Sequence, residues 1–128
     1  MDTREKILDL AGAAAVAAGL RSRGVKWKLV AGYFDVLTPE QVRELATLAD
    51  GSPVMAAVVD PPHPLLPARA RAELAASLRV VDYVIVLDGA SLEQVVAELA
   101  PDEVARRESA DLLRGVALIE HVHRRNNA

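Results

Sequence analysis

Apolar and polar positions along the chain fall into two periods, one helical and one continuous. Ile7, Leu10, Ala14 and Ala17 recur at helical spacing after a candidate N-cap at Asp2 or Thr3. Arg21, Arg23 and Gly24 supply the cations and the stop that suit a C-terminus, so the opening segment is expected to be a helix. A buried-type strand is expected over roughly Lys28 to Tyr33, around Leu29 and Val30. The tight turn Phe34-Asp35-Val36-Leu37 leads into a helix from Pro39 to about Ala49. Its start carries Thr38 at N-cap, Pro39 at N1 and Gln41 at N3, a capping-box pattern. Asp50-Gly51-Ser52-Pro53 closes that helix, and Val54 to Val59 reads as a second strand.

The stretch from Asp60 to Pro67 holds four of the seven prolines and must be an extended loop. A third helix is expected over Ala68 to Leu78, with Leu74 and Leu78 on one side. A third strand follows at Tyr83 to Leu87 and stops at Asp88-Gly89. Ser91-Leu92-Glu93-Gln94 is another capping box, opening a helix that buries Leu92, Val95, Val96 and Leu99. Pro101-Asp102 restarts a helical pattern that runs to about His123, and the tail Asn126-Asn127-Ala128 is expected to fray.

Helices alternating with continuously apolar strands predict an α/β chain with a parallel sheet covered on both faces. Right-handed crossovers make this a Rossmann-like three-layer sandwich with a short sheet of three or more strands. The 128 residues suit one domain, without internal repeat or linker. At 52% hydrophobic and 26% charged, the chain can bury a core, drawn mainly from Ala, Val and Leu. A net charge of −3 and an aromatic content of 3% argue against nucleic-acid binding. The absence of cysteine excludes disulfides, thiolate metal sites and cysteine nucleophiles. The apolar run Leu10 to Leu20 is too short to span a bilayer, and mixed charges before it argue against a signal peptide. A cytoplasmic location without membrane contact is therefore expected.

Ligands of such sheets bind beyond the carboxyl ends of the strands. Here those ends are Ala31-Gly32-Tyr33-Phe34-Asp35, Asp60-Pro61-Pro62-His63 and Asp88-Gly89. Gly32, followed closely by a helix start at Thr38, is either a phosphate cradle or simply a glycine that permits the turn.

Gly32-Tyr33-Phe34-Asp35-Val36-Leu37 resembles the G-x-F-D-x-L signature of the cytidylyltransferase-like nucleotidyltransferases. Within that family the adenylyltransferase domain of bacterial ADP-heptose synthase is most similar, followed by glycerol-3-phosphate cytidylyltransferase. The segment Arg71 to Val84 and the run Ser91 to Asp102 extend the resemblance, which covers roughly Gly24 to Asp102. It implies a Rossmann-like fold, ATP or CTP with magnesium as ligands, and nucleotidyl transfer to a sugar or alcohol phosphate. The candidate nucleotide-binding residues are then Ala31, Gly32, Tyr33, Phe34, Asp35, Thr38, Gln41, His63 and Arg71.

The departures from the family pattern bear on catalysis. Where the family carries H-x-G-H, this chain has Thr38-Pro39-Glu40-Gln41, so both phosphate-stabilising histidines are gone. Glu40 puts a carboxylate at the helix end that would receive a polyphosphate. Loss of even one donor of this kind commonly costs about 10²–10³ in rate. The family's lysine after the second strand is missing, and its K-G-G-D-like segment reads Glu103-Val104-Ala105-Arg106-Arg107-Glu108. These losses together predict a pseudoenzyme with no catalytic residue assigned. An active enzyme rebuilt around Arg69, Arg71 or His63 is the alternative, and a purely structural protein the third possibility.

His121 and His123 are two residues apart and point to different helix faces, so no metal site is expected. Val104, Leu112, Leu113, Val116, Leu118, Ile119 and Val122 form a broad apolar stripe. That stripe is expected either to make a homo-oligomer contact or to close over the chain's own sheet.

Overall fold

A computed structural model describes residues 2–87 and 89–108. A short 3-10 turn at Thr3–Lys6 precedes strand β1 (Ile7–Leu8) and helix α1 (Leu10–Ser22). Then come β2 (Lys28–Gly32), α2 (Pro39–Ala49), β3 (Val54–Val58), α3 (Ala68–Ser77), β4 (Tyr83–Val86), α4 (Leu92–Leu99) and β5 (Glu103–Arg106). All pairings are parallel, and the five strands lie in the order β1-β4-β3-β2-β5. Side chains alternate between two apolar layers. Leu29, Ala31, Met55, Ala57 and Ile85 pack with Ala13, Ala17 and Leu20 of α1 and with Leu92, Val95 and Leu99 of α4. Val30, Val54, Ala56, Val58 and Val84 pack on the other face with Leu45 and Ala49 of α2 and with Ala72, Ala75 and Ala76 of α3. This is the expected Rossmann-like sandwich, with α1 and α4 on one face and α2 and α3 on the other.

Two expectations need correction. The opening segment is not one helix. Asp9 accepts the Gly12 N–H at 2.7 Å and caps α1, so the helix begins at Leu10 rather than running through from Asp2 or Thr3. Ile7 and Leu8 are thereby extended, and pair with Val84 and Ile85 as an edge strand. The helical pattern from Pro101 is also absent over Glu103–Arg106, which form β5 against β2. Only four residues long and charged at both ends, β5 has the composition of an edge strand rather than an apolar interior one. The rest of the expected C-terminal helix, with its apolar stripe and His121 and His123, lies outside the described residues.

Aspartates set the register at the amino ends of two strands. Asp82, just before β4, donates its N–H to the Val54 carbonyl and accepts the Val54 N–H on its carboxylate, both at 2.9 Å. Asp102, just before β5, treats Trp27 in the same way, at 3.1 and 2.8 Å. Among the described residues, no helix is long and apolar enough to cross a membrane.

Candidate functional site

Chain direction along the sheet reverses at β2. From β2 the chain steps through β3 to β4, and α4 then carries it back to β5 on the other side of β2. In open α/β sheets the crevice at such a reversal, beyond the strands' carboxyl ends, is where ligands bind. Here it is bounded by the turn after β2, the amino end of α2 and Arg106-Arg107 at the end of β5.

The turn after β2 is tightly held. The Ala31 carbonyl accepts the Arg107 N–H at 2.8 Å, and the Gly32 carbonyl accepts the Val59 N–H at 2.9 Å. Phe34 takes a left-handed backbone at φ 53° while its ring is buried, a conformation unfavourable for a residue with Cβ and sustained here by the packing around it. Asp35 then reaches across to the proline-rich loop. Its two carboxylate oxygens accept the N–H groups of Leu65 at 2.6 Å and Leu66 at 2.8 Å.

Arg71 is buried to 1% relative exposure beneath the same loops. Its Nε donates to the Leu66 carbonyl at 3.0 Å, and Nη1 donates to the carbonyls of Tyr33 and Val59 at 3.2 and 2.9 Å. Nη2 donates to Asp60 at 2.6 Å. The guanidinium therefore ties the ends of β2 and β3 and the proline-rich loop to α3, with four of its five N–H donors engaged by protein acceptors. Asp60 balances its charge, as a buried cation requires.

At the amino end of α2, the Thr38 hydroxyl accepts the Gln41 N–H at 3.1 Å, as the capping pattern predicts. Glu40 lies in the first turn, and Gln41 is buried. A carboxylate and a capping hydroxyl thus occupy the positive end of this helix dipole. His63 is exposed on the loop between β3 and α3.

Two arginines at the crevice were not among the sequence-derived candidates. Arg107 pairs with Glu44 of α2. Arg106 pairs with Glu108 at 3.1 Å and with Glu93 of α4 at 3.7 Å. The hydrogen bonds that Arg106 donates to Glu108 raise its pKa above the ordinary arginine value, with smaller contributions from Glu93 and Tyr33. The signal that would have found them is the position of a basic pair at the end of a parallel strand, which is legible only once β5 is recognised. Beside them, a groove of about 430 Å³ is lined by Glu40, Arg43, Glu44, Thr47, Leu48 and Arg107. Its acidic and basic side chains balance. Among the described residues no group of three or more His, Asp or Glu side chains is placed to hold a metal ion.

Over 112 aligned residues the chain is 34% identical to the bifunctional protein HldE of Caulobacter sp. (strain K31). The match takes in 80% of this chain and 23% of that protein, so the chain spans under a quarter of the relative's length. In fold it is similar to the crystal structure of the lipopolysaccharide core biosynthesis protein from Thermoplasma volcanium GSS1. That likeness has a TM-score of 0.58 at 21% identity and covers 63% of this chain and 73% of the other. No family model matches.

Proposed function

We propose, from the premise that the chain is homologous to HldE and related to the cytidylyltransferase-like nucleotidyltransferases, that it is a catalytically silent member of that family. In this reading it acts as a binding or scaffolding module. The observation that carries it is the amino end of α2, where Thr38 caps the helix and Glu40 adds a negative charge. A triphosphate would have to displace that cap and approach that carboxylate. Arg71 cannot compensate without leaving its carbonyl and Asp60 partners. Arg107 would first have to give up Glu44. The residues present at the crevice therefore do not fit a magnesium–nucleotide polyphosphate as they stand, and we route no chemical step through one.

The alternative is an active nucleotidyltransferase with a rebuilt site. It would draw on Arg106, whose side chain is 58% exposed at the end of β5. The two readings separate in one experiment. Pyrophosphate release from ATP and CTP with magnesium is measured over a panel of sugar 1-phosphates and alcohol phosphates. Silence across the panel is expected. Turnover near a typical enzyme rate of about 1–10 s⁻¹ establishes the active enzyme instead. Titration calorimetry with the same nucleotides then reports whether weak phosphate binding survives.

A further inference from the structure

Three arginines reach the carboxyl end of the sheet, and each already holds a carboxylate. Arg71 pairs with Asp60, Arg106 with Glu108 and Glu93, and Arg107 with Glu44 of α2. The first is locked by three carbonyls as well, and the second is shared between two carboxylates. Arg107 is the exchangeable one, since it makes one ion pair among the described residues and lines a groove of about 430 Å³. Building on the reading of the chain as a binding module, we propose that this groove takes a phosphoryl group. Glu44 is then a built-in competitor that holds Arg107 until the ligand displaces it.

Three observations point to that ligand. A second guanidinium, Arg43, lines the same groove, is exposed, and makes no ion pair or side-chain hydrogen bond among the described residues. A phosphoryl group carries nearly two negative charges and three acceptor oxygens, so it can engage Arg43 and Arg107 together. The single carboxylate of Glu44 pairs with Arg107 and leaves Arg43 unused. Next, Arg107 keeps its place when its side chain lets go. Its backbone N–H donates to the Ala31 carbonyl at 2.8 Å, just past the point where Arg106 stands opposite Ala31, so an exchange of partners needs only a side-chain swing. Last, the pair is not sealed. The side chains of Arg107 and Glu44 are 24% and 32% exposed, so a ligand in the groove can reach the guanidinium. Where a binding group is free in only a fraction of molecules, apparent affinity falls by that fraction, and a pair closed about nine times in ten lowers it about tenfold.

Titration calorimetry of the full chain tests this, with inorganic phosphate and a simple alkyl phosphate as separate probes. Glu44→Gln is expected to bind at least one of them about tenfold more tightly than the parent. Adding Arg107→Gln to that variant is expected to abolish the gain. Glu40→Gln removes the same charge from the same groove without releasing Arg107, and is expected to gain less. No gain in Glu44→Gln overturns the proposal, as does an equal gain in Glu40→Gln or a gain that survives Arg107→Gln. Preference between the two probes tells a phosphate ester from the free ion. Glu44→Ala repeats the comparison with a second side chain, and circular dichroism confirms that each variant is folded. Pyrophosphate release is followed on the parent in parallel. Turnover there overturns the silent reading while the Glu44 comparison still decides the site, whereas a silent parent whose Glu44→Gln variant gains nothing overturns the site alone.

Discussion

Asp35 and Arg71 hold the same residue from opposite ends: Asp35 accepts the Leu66 N–H at 2.8 Å, and Arg71 donates to the Leu66 carbonyl at 3.0 Å. One comes from the turn after β2 and the other from α3, so the proline-rich loop between β3 and α3 is fixed without regular structure of its own. Charge-assisted hydrogen bonds of this kind contribute about 1.5–3 kcal/mol each. Asp35→Ala should therefore destabilise the protein by roughly 2 kcal/mol in urea unfolding. Arg71→Met should cost at least as much, because it removes four hydrogen bonds at once, to the carbonyls of Tyr33, Val59 and Leu66 and to Asp60. Since both residues hold one loop, the double variant should lose less than the sum, with a coupling of about 0.5–3 kcal/mol. Strict additivity would show that the two act independently.

This clamp also shows why the site was only partly legible in the sequence. The strand–turn–helix run from Lys28 to Ala49 was readable because apolar continuity, a turn and Thr38-Pro39 all point the same way. Arg71, a candidate for nucleotide contact, is engaged with four protein partners, and no local pattern in α3 signals that. The β5 strand escaped because Glu103-Val104-Ala105-Arg106 owes its conformation to β2 and to the Asp102–Trp27 contact, while Pro101-Asp102 mimics a helix start. Missing β5 hid the position of Arg106 and Arg107. The two-residue β1 was lost in the same way, since Ile7 and Leu8 also fit the helical spacing that belongs to α1.

The cap of α2 gives a second prediction, which links stability to anion affinity. Thr38→Ala removes the acceptor for the Gln41 N–H and should cost about 1 kcal/mol in thermal or urea unfolding. Combining Thr38→His and Gln41→His with Glu40→Gly should lower stability further and give the helix end measurable phosphate affinity by calorimetry. A triple variant as stable as the parent that still ignores phosphate would show that this helix end does not control anion binding.

The Asp2–Arg4 contact at the amino-terminal turn should be lost only in strong acid. The hydrogen bond from the Arg4 side chain, with one from its backbone N–H, lowers the Asp2 carboxyl from its ordinary 3.8 to about 2. Because the folded value is depressed, the contribution of this contact is fully present above the unfolded pKa and is lost as pH falls through the folded one. An NMR titration should place the Asp2 midpoint near 2, with the Arg4 amide shifting in step. Arg4→Ala should return the midpoint toward 3.8. A midpoint already at the ordinary carboxyl value in the parent would mean that the pair does not form in solution.

Asp82 and Asp102 make the same pair of bonds at two different strand pairs, β4 with β3 and β5 with β2, but their removal should have different reach. Each carboxylate satisfies the N–H of a buried residue, Val54 or Trp27, and leaving such a donor unpaired costs about 1–3 kcal/mol. Asparagine keeps an acceptor oxygen, so Asp82→Asn and Asp102→Asn should cost less than the alanine variants. β4 pairs with β1 on one side and β3 on the other, so Asp82→Ala disturbs the middle of the sheet and should lower global stability. β5 rests on β2 alone among the described strands, so opening after Asp102→Ala can stay local. Amide hydrogen exchange distinguishes the two. Asp102→Ala should accelerate exchange chiefly at β5 and at Arg107, whose N–H bonds to Ala31, while β3 and β4 keep their protection. If Asp102→Ala accelerated every core amide as much as Asp82→Ala does, β5 would be integral to the cooperative core rather than an edge added to it.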